Sequence, residues 1–112
     1  MFNVNSPMAT ESTTEAALAA VATHPRVTLQ DLEANIKHVE YVTHKAVSGQ
    51  ILRWAVIICQ NGFAVTGKPS AAVSPENDNE VFGKEIAYKN AKEELWALMG
   101  YALKSQIALG TL

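Results

Sequence analysis

The sequence contains one cysteine, Cys59, in 112 residues. A single thiol cannot close a disulfide within the chain, and it cannot supply the thiolate set of a structural zinc site. Its place inside an apolar run indicates a buried small hydrophobic side chain. The composition is compatible with a reducing cytoplasm.

Long hydrophobic runs and basic charge are also scarce. The longest apolar stretch, WAVIIC at residues 54–59, is far shorter than the ~20 residues that cross a bilayer. Residues 1–22 lack the basic start and apolar core of a signal peptide. A net charge of -2 argues against a general nucleic-acid-binding protein. The 48% hydrophobic and 18% charged residues are typical of one globular domain with a modest core.

Motifs for catalysis are missing as well. The sequence has no G-x-G-x-x-G, no Walker lysine and no G-x-S-x-G. His24, His38 and His44 share no metal-ligand spacing, and the adjacent acids Glu93 and Glu94 would point apart on a helix. We therefore expect no catalytic residues, no metal site, no cofactor and no enzymatic activity.

Two segments of different character are predicted. Residues 1–27 form an N-terminal arm with a possible short helix, because Ser12 and Glu15 have capping-box spacing before an Ala-rich stretch that Pro25 ends. Residues 28–112 form a single α+β domain. In this domain a second helix starts at the N-cap Thr28, and Leu29, Leu32 and Ile36 give it one narrow apolar stripe.

A three-stranded antiparallel meander follows, over about residues 40–47, 51–60 and 63–67. The middle segment is apolar at nearly every position, which is typical of a strand covered on both faces. Asn61–Gly62 between two β-prone runs is a strong hairpin signal, because a type I′ turn needs positive φ at both central residues. We expect the meander to pack on a long C-terminal helix.

This long helix is predicted to begin at Asp78 or Asn79 and to run to Ala108. At 100° per residue it carries two apolar arcs. The first contains Val81, Tyr88, Ala91, Leu95, Leu98, Met99 and Ala102, and the second contains Phe82, Ile86, Trp96 and Ile107. A helix on one small sheet needs one apolar face, so a second subunit could cover the other. Alternatively, the N-terminal helices fold back over it.

Candidate binding residues lie on the middle strand and around the start of this helix. Arg53 interrupts the most apolar strand, so it either extends to the solvent at an edge or points into a pocket and binds an anion or a carboxylate. Asn77, Asn79, Lys84, Tyr88 and Asn90 offer amide, ammonium and stacking groups near a helix N-terminus, where exposed N–H groups suit phosphate. The alternative is a solvated helix face with N-cap residues.

Four stretches carry a family resemblance: NGFAVTG, SAAVSPEN, GKEIAYKNA and LWALMGYALK. In order and spacing, over about residues 28–107, they resemble a family of small phage proteins named for gene product forty-nine of one enterobacterial phage and gene product sixty-six of another. The sequence departs from the family pattern at Asp78, where Phe is usual, at Phe82, where Ile is usual, and by one extra residue between Gly67 and Ser70. If the usual Phe stacks on a ligand, Phe82 could replace it one turn later.

The resemblance implies a link to phage anti-defence sponges of the Thoeris type. Such proteins would act in the host cytoplasm as homo-oligomers that sequester a cyclic nucleotide signal, such as glycocyclic ADP-ribose, without hydrolysing it. The ligand-binding residues would then be Arg53, Asn77, Asn79, Phe82, Lys84, Tyr88 and Asn90. Neither a membrane nor a nucleic-acid polymer would be a partner. The alternative is a structural or host-protein-binding phage accessory protein.

Overall fold

The computed structural model describes residues 10–22 and 24–111. It has an α+β fold, as predicted. The elements in chain order are α1 (Thr10–Val21), α2 (Leu29–Ala34), β1 (Ile36–Lys45), β2 (Ile51–Cys59), β3 (Ala64–Thr66), β4 (Ser70–Ala71), a 3-10 turn (Pro75–Asn77) and α3 (Glu80–Ala108).

Strand β2 is the centre of an antiparallel sheet. Strand β1 pairs along one of its edges, whereas β3 and β4 share the other edge and pair with opposite ends of β2. The predicted meander is confirmed, and a turn containing Asn61 and Gly62 joins β2 to β3. Gly62 has a φ of 90°, but Asn61 has no positive φ, so the type I′ geometry suggested by the Asn–Gly pair is wrong. The two-residue strand β4 was not predicted, because it is too short to produce an alternating pattern.

The core lies between α3 and one face of β2. Ala55, Ile57 and Cys59 alternate along β2 and are at most 2% exposed, and they pack with the wholly buried Ala87 and Leu95 of α3. Several of these side chains are small, so the helix approaches the sheet closely. Gly67, which follows β3, lies against the backbone of α3.

The other face of β2 is not covered by α3. Leu52, Trp54, Val56 and Ile58 alternate with the core residues and are half-buried. Among residues 10–22 and 24–111, no helix makes its main contacts with this face. The prediction of a strand covered on both faces is therefore wrong within the described chain.

Helix α2 is shorter than predicted. The N-cap Thr28 is confirmed, since its side chain accepts a hydrogen bond from the N–H of Asp31 and completes a capping box. The helix ends at Ala34, however, and Ile36 begins β1 opposite Cys59 instead of extending a helical stripe. Pairing with β2 satisfies the backbone of this segment, and so tertiary contact overrides the local helical pattern.

Helix α1 spans Thr10–Val21, so Ser12 lies within the helix and not at the residue before it. The carboxylate of Glu15 instead accepts two hydrogen bonds of 3.0 Å from Arg26, and one of 3.1 Å from the N–H of Leu29. These contacts attach α1 to the start of α2. The remaining part of the predicted arm, residues 1–9, lies outside the described residues.

The two predicted arcs of α3 are only partly correct. In the first arc, Val81 and Leu98 are exposed. In the second arc, Trp96 packs against the core and lines a cleft together with Leu18 of α1. This contact agrees with the alternative prediction, in which the N-terminal helices fold back over the second arc. Phe82, Ile86 and Ile107 remain exposed at 63%, 52% and 39%.

The contact at Gly67 predicts the effect of adding one methyl group. The Cβ of Gly67→Ala would overlap the backbone of Asn90 and Ala91, neither of which can move without displacing α3. We expect a loss of about 1–3 kcal/mol in the free energy of unfolding, measured with urea. Gly100→Ala is the control, because a Cβ there meets open space and should stabilise the exposed helix by about 0.4–1 kcal/mol. Equal effects of the two substitutions would contradict the close contact.

Candidate functional site

The loop before α3 is held by local hydrogen bonds. The Ser74 hydroxyl donates to the Glu76 carboxylate at 2.6 Å, which lowers the pKa of Glu76. The N–H of Asn77 donates to the carbonyl of Ser74 and closes the 3-10 turn. Asn79 is the N-cap of α3, because its Oδ1 accepts from the N–H of Phe82 at 3.0 Å. The predicted capping function of this loop is confirmed.

Arg53 reaches from β2 to this loop and forms a two-point ion pair with Asp78. Each of the two guanidinium nitrogens lies 2.7 Å from one carboxylate oxygen, and the side chains are 8% and 14% exposed. Hydrogen bonding to the guanidinium lowers the pKa of Asp78 below its usual value. Of the two sequence hypotheses for Arg53, solvation at an edge is wrong, and the carboxylate that it binds belongs to this chain.

The first turn of α3 closes over this ion pair. A Cβ on Gly83 would lie 2.7 Å from Nη1 of Arg53, so a larger residue there would displace the guanidinium. The buried hydroxyl of Ser70 donates to the carbonyl of Gly83 at 2.6 Å. Strand β4, the loop and α3 are therefore fixed to one another around Arg53.

A recess of about 170 Å³ lies beside the ion pair. Three of the predicted site residues line it, namely Asn77, Asn79 and Phe82. The Oδ1 of Asn79 is used by the helix cap, which leaves its Nδ2 as a donor. The amide of Asn77 is exposed, and the ring of Phe82 is 63% exposed. The recess thus combines hydrogen-bond donors, an aromatic face and the N-terminus of α3.

The other predicted helix residues lie outside this recess. Nζ of Lys84 lies 3.0 Å from the Glu80 carboxylate and 5.3 Å from the centre of the Tyr41 ring. Tyr88 packs against the core. Nδ2 of Asn90 donates to the carbonyl of Lys68 at 3.0 Å.

The predicted ligand-binding residues of α3 are consequently divided between two sides of the helix. Successive helical residues are rotated by about 100°, so Lys84 and Tyr88 are directed toward the β1 side, whereas Phe82 lies beside β4. Ser70, Ala71 and Ile86 also line the recess, although they were not among the predicted site residues. No sequence pattern indicates that β4 meets the start of α3, because that contact depends on the path of the chain after Gly67.

The described part of the chain contains no group of three or more His, Cys, Asp or Glu side chains that could hold a metal ion. None of its helices is long and apolar enough to cross a membrane.

Comparison with known proteins identifies a family. The model of a family described as "Phage protein (N4 Gp49/phage Sf6 gene 66) family" matches residues 27–107, which is most of the chain. No curated protein and no solved structure matches.

The ion pair predicts how stability depends on pH. Because the folded pKa of Asp78 is lowered, its contribution is complete above the unfolded value of about 3.9 and is lost as the pH falls through the folded pKa. Asp78→Asn leaves Arg53 without its carboxylate. We expect the variant to be less stable than the wild type at neutral pH, with the difference shrinking below about pH 4, in urea titrations across pH.

The matched control is Glu94→Gln, which removes an exposed carboxylate from α3. If Asp78→Asn and Glu94→Gln had the same stability at neutral pH, the ion pair would contribute nothing.

Proposed function

Since the chain belongs to the phage protein (N4 Gp49/phage Sf6 gene 66) family, we propose that it is an anti-defence protein. It binds and sequesters a cyclic nucleotide immune signal, such as glycocyclic ADP-ribose of the Thoeris pathway, without hydrolysing it. It acts in the host cytoplasm as a homo-oligomer. The recess at the N-terminus of α3 is the binding site in this proposal.

One observation carries the proposal: the recess brings an exposed aromatic ring and two amides to a helix N-terminus. The Phe82 ring offers a stacking surface for a base. The Asn77 and Asn79 amides donate hydrogen bonds to phosphate or ribose oxygens. Of the first-turn N–H groups of α3, that of Phe82 donates to the Asn79 cap, and those of Glu80 and Val81 remain to favour an anion. Sequestration needs only binding, so this set of groups is sufficient without a general base.

The charge of the recess determines how an anionic ligand could bind. Arg53 is the cation beneath the recess, but its guanidinium is already paired with the Asp78 carboxylate. Lys84 is likewise paired with Glu80. A phosphate therefore either uses the amides and backbone N–H groups alone, or displaces Asp78 from Arg53. In the second case Asp78 acts as an internal substitute for the ligand anion.

The size of the recess supports a site completed by a second subunit. Its 170 Å³ is below the roughly 300–1,000 Å³ of typical ligand pockets. Around it, Val81, Phe82 and Ile86 are exposed at 64%, 63% and 52%. A second copy packed on these side chains would bury apolar area and deepen the recess.

Calorimetry with a panel of cyclic nucleotides, including glycocyclic ADP-ribose isomers, tests the proposed ligand. We expect binding at micromolar protein, with the nucleotide recovered intact. Phe82→Ala should weaken binding about tenfold, because base–aromatic stacking contributes about 1–3 kcal/mol. Leu109→Ala is the matched control, since Leu109 is likewise an exposed apolar residue and lies outside both the recess and the proposed contact with a second copy. If no nucleotide in the panel bound, the sequestration proposal would fail.

Light scattering tests assembly separately. We expect the mass of a dimer or a larger oligomer at micromolar protein, and a lower mass for Ile86→Glu, which places a charge in the proposed contact. Leu109→Glu is the control, because Leu109 is exposed at the C-terminal end of α3, the opposite end of the helix from the recess. A monomeric wild-type protein would contradict the completion of the site by a second copy.

The second candidate function is binding of a host protein. The exposed apolar side chains Val81, Phe82 and Ile86 favour it, because such patches commonly mark protein contacts. The two functions differ in the calorimetric result. A protein-binding accessory would bind no nucleotide, and it would retain a stoichiometric host partner that Phe82→Glu releases.

A further inference from the structure

A second cleft lies at the other end of α3. It is bounded by the turn between β2 and β3 and by the C-terminal half of the helix, and it measures about 300 Å³. Phe63 and Asn61 line it from the turn, Asn35 from the end of α2, and Met99 and Tyr101 from α3. We call it the turn cleft. Tyr101 follows Phe82 by nineteen positions in α3, which corresponds to about 28 Å along the helix axis. The turn cleft is therefore separate from the recess.

The turn holds Phe63 in a fixed position although its side chain is 56% exposed. Its N–H donates to Oδ1 of Asn61 at 2.9 Å, and its carbonyl accepts from the N–H of Cys59 at 2.9 Å. Gly62 makes this geometry possible with a φ of 90°. Because the backbone of Phe63 is already ordered, the residue loses little conformational entropy when its exposed ring binds a ligand.

The opposite wall presents a second ring. Tyr101 projects from α3 and is 77% exposed. Met99, which packs against the core at the same wall, offers a polarizable sulfur of the kind that favours contact with aromatic rings. Two aromatic rings and a thioether around one cleft suit a flat aromatic guest better than an aliphatic one.

Two amides supply directional groups. Oδ1 of Asn35 accepts from the N–H of Gln60 at 3.2 Å, and Oδ1 of Asn61 accepts from the N–H of Phe63. Because each oxygen faces a backbone donor, each Nδ2 is left as a donor. The guest should therefore carry hydrogen-bond acceptors on its edge.

Charge is absent from the lining of the turn cleft. Among the described residues, no Lys, Arg, Asp or Glu side chain contributes to its walls. An anionic group gains no partner in it, so an uncharged guest is favoured. The volume is at the lower end of the usual range for ligand sites, which fits a single ring system.

We propose that the turn cleft is a second binding site, and that it takes a planar, uncharged heteroaromatic ring with acceptor atoms, such as a nucleobase. The ring stacks on Tyr101, Phe63 borders it from the turn, and the Nδ2 groups of Asn35 and Asn61 donate to its edge. This inference rests on the turn cleft alone and does not depend on signal sequestration at the recess.

Titration of the full chain with adenosine, followed by two-dimensional NMR, tests the proposal. We expect shifts in the side-chain NH₂ signals of Asn35 and Asn61. Tyr101→Ala should weaken this binding about tenfold, consistent with loss of one stacking contact, while Tyr101→Phe should retain it. Leu109→Ala is the matched control, since Leu109 is as exposed as Tyr101 and lies outside the cleft.

Each contrary result has a distinct meaning. Shifts at Asn77 and Asn79 alone would overturn the second site and leave the proposed function standing. Equal shifts with cyclohexanol would overturn the preference for a heteroaromatic ring. Shifts of the Asn35 and Asn61 signals with protein concentration alone would show that a second copy fills the cleft. Unchanged signals at millimolar adenosine would also refute the proposal.

Discussion

The close approach of α3 to β2 is the constraint on which the rest of the structure depends. Small residues make it possible: Ala55 on the strand, Ala87 and Ala91 on the helix, and Gly67 against the helix backbone. Larger side chains at these positions would separate the helix from the sheet and reduce the dispersion contacts of the core. Ile57 and Leu95 fill the remaining space as wholly buried side chains.

This packing determines the polar architecture at the start of α3. A helix so close to β2 covers Arg53, and a largely desolvated guanidinium needs a partner. Asp78 supplies that partner, and Gly83 leaves the necessary space. A buried ion pair contributes modest net stability, because desolvation opposes the attraction between the charges. Its main consequence is positional, since it fixes the loop and thereby the side chains of the recess.

The two ends of α3 consequently have different chemistry. At its N-terminus, helix N–H groups, amides and the Arg53–Asp78 pair surround a small recess suited to a polar ligand. Toward its C-terminus, Phe63, Tyr101 and Met99 surround the larger and uncharged turn cleft. A nucleotide contains both kinds of group, phosphates and a flat base. The proposed function and the further inference thus concern the same class of ligand chemistry at two separate places.

Local sequence signals predicted much of the fold. The Asn61–Gly62 turn, the N-caps Thr28 and Asn79, and the extent of α3 all follow from short-range preferences of backbone and side chain. The same signals failed at Ile36, where a helical stripe was expected, because pairing with Cys59 is a contact between distant segments.

For the candidate site, the sequence alone determined which residues lie near the start of α3: Asn77, Asn79 and Phe82 are neighbours along the chain, and they line one recess. The rotation of 100° per helical residue already separates Lys84 and Tyr88 from Phe82. Only the tertiary structure decided that Ser70 reaches Gly83 and that Arg53 binds Asp78. These contacts join residues that are distant in sequence. Their geometry depends on how closely α3 packs on β2, which no local pattern specifies.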